Sequence, residues 1–255
     1  MERNNNQVLN EISSCTNNRL KGLRKRVLCL FLTLMISTVV CFCLKLYVRK
    51  VIEVPYTIVL RKAIGGLEAL TPSGEFVSYV KLSLIAGLII SSPVIFYHLC
   101  ILIISGSYTE KKSFVRFLTC CSTALLILGV MYSIFIIAPL YLGFFANFNT
   151  NMPRVSFVVS FEAYVSFITF LILSFGVSFL TPVILLVLRT KGLIPMGLLS
   201  KLRIFVLLGI IIMAIATMPD FVSQVALVIP LYLLYEVGIL VCYFADKSEN
   251  GNKGN

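Results

Sequence analysis

Charge is scarce in this sequence of 255 residues: Asp, Glu, Lys and Arg make up 13% of it, against about 25% in an ordinary soluble domain. Histidine is nearly absent, with His98 alone and inside an apolar run. There is no Cys-x-x-Cys, so a protein-held metal site is not expected, and no cofactor is implied. No glycine-rich P-loop is visible, which argues against nucleotide-driven work. Neither paired acids nor a Ser/His constellation appears, so an intramembrane enzyme is not the expected class. An internal repeat, the mark of many secondary transporters, is missing too.

What is present is apolar. Hydrophobic residues account for 58% of the chain, mean hydropathy is +0.96, and several runs approach 20 residues. Such runs match a bilayer core of about 30 Å, so lipid is the expected solvent. The pattern predicts an all-α polytopic membrane protein with six transmembrane helices: Val27–Leu44, Tyr79–Ile104, Phe117–Tyr141, Tyr164–Leu188, Ile204–Thr217 and Val222–Phe244. The whole chain reads as one membrane domain, with a polar arm over residues 1–21 and a polar tail over 245–255. Lys45 to Val77 reads as a mixed outer loop with a short surface helix around Tyr56–Ala69, and Leu142 to Glu162 as a second outer loop. Arg189 to Arg203 reads as an inner loop. Gly176 and Pro182 are expected to interrupt the fourth span.

The net charge of +11 does not point to nucleic acid, because the cations sit in short blocks beside apolar runs. Fifteen of the 22 lysines and arginines fall in segments assigned inside and six in segments assigned outside. By the positive-inside rule both termini lie inside. Seven of the eight cysteines lie in or at the ends of apolar runs and Cys15 lies in the polar arm, so no disulfide framework is expected.

The last two runs carry the most information. Ile204–Thr217 is only 14 residues, nominally about 21 Å and too short for an unperturbed core. A polar corner, Thr217-Met218-Pro219-Asp220, leads into the final run. Asp220 is placed to cap that helix, and Gln224 follows one turn later on the same face. Pro230 cannot donate a hydrogen bond, so it frees the carbonyl of Ala226 and kinks the helix. A carboxylate such as Glu236 within a span costs about 2.5–3.5 kcal/mol on insertion scales. Glu236 is therefore expected to be protonated, paired or facing a wet cavity. As almost the sole such group, it gives weak support to the alternative class, a small-solute or ion transporter.

Four stretches in order resemble the TatC family of twin-arginine protein translocases. They are Leu23-Arg24-Lys25-Arg26, Phe76 to Lys81 with Ser91 to Tyr97, Phe175 to Phe179 with Pro182, and Met218-Pro219-Asp220 through Gln224, Pro230 and Glu236. The resemblance implies a glove-shaped helical protein with short fifth and sixth helices. It also implies a receptor for twin-arginine signal peptides and a core scaffold that exports folded proteins on the proton-motive force. On the family pattern, Glu110 is the leading contact for a signal's arginine pair, with Arg24, Lys25 and Arg26 anchoring topology and shaping the pocket. Pro219, Asp220, Gln224 and Glu236 are implied in translocation or partner contact. Implied partners are TatA- and TatB-like single-span subunits, further copies of the chain, and membrane lipid. The implied location is a bacterial cytoplasmic (inner) membrane, with an organellar inner membrane as the alternative. Gly22 and Leu180 stand where the family carries acids, or sometimes Gln in the second case.

Overall fold

A computed structural model describes residues 24–59, 71–104, 112–150, 160–190, 196–217 and 221–251. Helix α1 (Arg24–Cys43) is followed by α2 (Lys45–Val59), α3 (Pro72–Ile104) and α4 (Lys112–Tyr132). A π-helical turn (Ser133–Ile137) joins α4 to α5 (Ala138–Thr150). Then come α6 (Phe161–Phe179), α7 (Thr181–Thr190), α8 (Met196–Thr217) and α9 (Phe221–Gly251). The chain is an all-α, multi-pass membrane protein.

Burial shows which solvent the helices face. Only 6% of the apolar window of α1 is buried, and Val27, Phe31, Leu32, Ile36 and Val39 are all exposed. No such surface is stable in water, where each large apolar side chain left exposed forgoes about 1.5–3 kcal/mol. Among the described residues, five helical stretches are long and apolar enough to cross a bilayer, and the fifth apolar run, in α8, is not among them.

Prolines explain the interruptions. Pro182 has no N–H for the carbonyl of Ser178, and the helix breaks at Leu180. The freed carbonyl accepts a bond from the Thr181 hydroxyl at 2.7 Å, so the break leaves it satisfied. Pro139 likewise cannot donate. The turn ahead of it widens, and Ala138 N–H reaches back five residues to Ser133 O. Pro230 lies within α9, and the carbonyl of Ala226 accepts from the Tyr132 hydroxyl at 2.7 Å. The tyrosine ring lies 5.7 Å from both Phe175 and Phe179, so one side chain ties α4, α6 and α9 together.

Several boundaries differ from the sequence expectation. Lys45–Val59 is helical rather than loop, because Ile52, Pro55 and Tyr56 form a buried stripe at helical spacing. The expected surface helix thus begins earlier and packs inward, while residues 60–70 lie outside the described segments. Pro72-Ser73-Gly74-Glu75 looks like a turn but opens α3: Thr71 Oγ1 accepts the N–H of Gly74 at 3.2 Å, and Pro72 takes the first helical position. The helix after the π turn runs on to Thr150, so the expected second outer loop starts as helix. Met196–Arg203 is likewise the first part of α8 rather than loop. The short apolar run is therefore carried on a helix of 22 residues, and α9 runs past Phe244 into the polar tail.

Two buried clusters lie at opposite ends. The larger joins α2, α3, α4, α5 and α6 around Ile137, Val165 and Ile168. The smaller joins the end of α3, the start of α4, the end of α7 and the later turns of α9 around Leu118 and Cys242. Close approach needs glycine at two places. A Cβ on Gly87 would stand 2.8 Å from the backbone nitrogen of Thr38, and one on Gly129 2.9 Å from the carbonyl of Phe175. The seven described cysteines are free thiols.

Candidate functional site

Of the expected signal contacts, Arg24, Lys25 and Arg26 lie toward the end of the molecule that holds the smaller cluster. Phe42 meets Phe76 with ring centroids 6.3 Å apart, and Thr38 lies against Gly87, so α1 and α3 run antiparallel. The start of α1, with Arg24, Lys25 and Arg26, is therefore level with the end of α3 and the start of α4. Arg24 and Lys25 are exposed and Arg26 is half-buried. Glu110 belongs to the connection between α3 and α4, which lies outside the described residues, as do Pro219 and Asp220.

Glu236 reaches the same end through α9. Its Oε2 lies 3.3 Å from Arg203 Nη2 of α8, and its Oε1 accepts from the Tyr232 hydroxyl at 2.9 Å. The acid is paired, one of the three states expected for it. The partial exposure of both side chains limits the pair to about 0–1 kcal/mol. Gln224 is half-buried in the first turn of α9, far from Glu236 along the helix.

Above that pair, α6, α8 and α9 leave a cleft of roughly 340 Å³. Phe170, Ser174 and Ser178 of α6 face Gly209 of α8 and Leu231 of α9 across it. Ser178 spends its hydroxyl on the carbonyl of Ser174 at 2.7 Å, so the cleft wall is largely apolar. Leu180 is buried in the larger cluster, so the position where the family pattern has a polar residue packs as core here.

The opposite end is closed by a polar clamp. Arg49 of α2 donates to Glu53 at 2.6 Å and to the Tyr79 hydroxyl at 2.7 Å, lies 3.8 Å from Glu75, and sits 4.8 Å over the ring of Phe161. Burial works against the guanidinium charge, yet the bonds to Glu53 and Tyr79 hold the pKa of Arg49 above its ordinary value. Thr71 donates to Glu162 at 2.6 Å, joining the first turns of α3 and α6. Tyr164 donates to the carbonyl of Ile52 at 2.6 Å. Sequence reasoning missed this clamp and the role of Arg203, because contacts between distant elements leave no periodic trace. The Arg49–Glu53 and Tyr232–Glu236 contacts, both at i,i+4, were the parts that spacing alone could have revealed.

Comparison with known proteins decides the family. The model for the Sec-independent protein translocase protein (TatC) matches residues 18–230. The chain belongs to the TatC family. A TatC protein of Aquifex aeolicus is 32% identical over 234 residues, covering 90% of this chain and 95% of that protein. The Escherichia coli K12 TatC is 33% identical over 180 residues, covering 70% of this chain and 69% of its own length. A crystal structure of the twin-arginine translocase receptor TatC in DDM superposes with a TM-score of 0.75 at 30% identity, covering 87% of this chain and 98% of that one. TatC proteins are protein-translocase components, neither enzymes nor solute carriers, and the four sequence stretches pointed to the right family.

Proposed function

We propose that this TatC-family chain is the twin-arginine signal receptor and the core scaffold of a translocase that exports folded proteins. The observation that carries the reading is the gathering of the α1 start, the end of α3, the start of α4 and the Arg203–Glu236 pair at one end of the bundle. In this reading that end faces the cytoplasm, both termini lie there, and α8 is the fifth of six crossings in one membrane domain. Glu110 receives the signal's arginine pair bidentately, since a carboxylate and a guanidinium match in geometry and bind more firmly where water is partly excluded. Arg24, Lys25 and Arg26 hold the orientation and frame the pocket. The signal's apolar segment then inserts along the membrane face.

TatA- and TatB-like single-span subunits assemble against α6, α8 and α9, where the apolar cleft offers a groove between helices. Pro219, Asp220 and Gln224 serve this contact from the far end of α9, and Glu236 from the near end. Copies of the chain associate with each other, and the proton-motive force supplies the energy. The membrane is the bacterial cytoplasmic one. The test is site-specific crosslinking of a twin-arginine peptide in membranes. Glu110→Ala should lose most of the adduct, while Glu110→Asp retains part. Undiminished adduct with Glu110→Ala would take Glu110 out of the mechanism. Complementation of a strain lacking its own TatC, scored by export of a folded reporter, tests the whole reading.

A further inference from the structure

A second groove lies on the lipid-facing side of α3 and α4, away from the cleft at α8 and α9. Its volume is about 420 Å³. Pro93 and Tyr97 of α3 form one wall, and Cys120, Ala124 and Ile127 of α4 form the other. Thr119 and Thr123 line the floor, but their hydroxyls donate to the carbonyls of Val115 and Thr119 at 2.8 and 2.9 Å. They present no free polar group to an occupant. Among the described residues that line it, the one charge is Arg116, exposed one turn after α4 begins.

This combination selects its occupant. From Arg116 to Ile127 the groove runs 11 residues along α4, about 16 Å at 1.5 Å per residue. That is the depth of one leaflet, half of a hydrocarbon core of about 30 Å. A partner's spanning helix would need a track twice as long, and a soluble anion would have no use for an apolar wall. A single acyl chain carrying an anionic head at its outer end satisfies both the length and the charge.

We propose that this groove binds one anionic glycerophospholipid, with its phosphate on Arg116 and an acyl chain along Tyr97, Cys120, Ala124 and Ile127. A guanidinium matches phosphate oxygens in pairs, which favours Arg over a point charge at this position. The groove shares no residue with those assigned to the signal, so the proposal stands or falls independently of the receptor reading.

Native mass spectrometry of the full chain in detergent tests it, with phosphatidylglycerol or phosphatidylcholine of equal chain length titrated in. One phosphatidylglycerol should be retained about five-fold more firmly than phosphatidylcholine, the factor that one cation near the surface supplies at about 1 kcal/mol. Arg116→Gln should abolish that preference and Arg116→Lys should keep part of it. Ala124→Trp, at an exposed position, fills the groove and should release both lipids with Arg116 untouched. Ile127→Trp gives the same readout if the first variant does not purify as a single species. Equal retention of the two lipids by the parent chain, or unchanged phosphatidylglycerol retention in Arg116→Gln, overturns the proposal. Full retention in both tryptophan variants places the lipid elsewhere and overturns it equally.

Discussion

A proline inside a membrane helix leaves a carbonyl with no water to turn to, and Tyr132 answers that need for Ala226. The dependence can be measured by a double-mutant cycle. Tyr132→Phe should cost about 1 kcal/mol of unfolding free energy in detergent, in line with other interhelical bonds in membranes. In a Pro230→Ala background the helix supplies its own donor, so the same change should cost much less. Equal costs in both backgrounds would mean that Tyr132 acts by ring packing on Phe175 and Phe179 alone. The freed carbonyl was readable from Pro230, because the missing N–H is a property of one residue. Its partner was not, since Tyr132 is remote in sequence and the bond exists only after α4 and α9 dock. The Arg203–Glu236 pair has the same character. Arg203→Ala should lower stability by about 0–1 kcal/mol in thermal unfolding, because both side chains keep contact with solvent. A larger loss would mark the carboxylate as intolerant of standing alone.

Among the helices, attachment is uneven. α6 is buried along much of its length, with Val165, Ile168 and Leu171 almost inaccessible, whereas α8 packs chiefly against α9 and exposes Ile204, Phe205, Ile212 and Ile215. Amide hydrogen exchange in detergent should therefore run faster in α8 than in α6. Protection of α8 equal to that of α6 would show that its own hydrogen bonds suffice. Element type was legible wherever an apolar run was long, and the break before α7 followed from Pro182. Element boundaries were not. Thr71-Pro72-Ser73-Gly74 carries the residues of a turn, and the same residues make a good helix start once Glu162 of α6 comes alongside. Pro55 and four nearby charges hid α2, whose helical state depends on a buried stripe that only its neighbours reveal. Met196–Arg203 was hidden likewise, being too polar to look like part of a span.

For the molecule as a whole, the tightest contact of α1 with the body is where Gly87 admits Thr38, with Phe42 meeting Phe76 beyond it. Gly87→Leu should loosen α1 and cost about 1–3 kcal/mol, the usual range for overpacking a tight contact. Crosslinking between cysteines placed at positions 42 and 76 would report the separation, and unchanged crosslinking would show that the helices shift to make room. The scarcity of buried surface on α1 also has a meaning for biosynthesis. This helix is made before α3 and must wait in lipid while its docking face there is still being synthesised. It has to survive there on hydrophobicity alone, and its exposed valines and leucines, with Phe31, equip it to do so. A nascent fragment ending near residue 60 should accordingly resist alkaline extraction from membranes before any of the later helices exists.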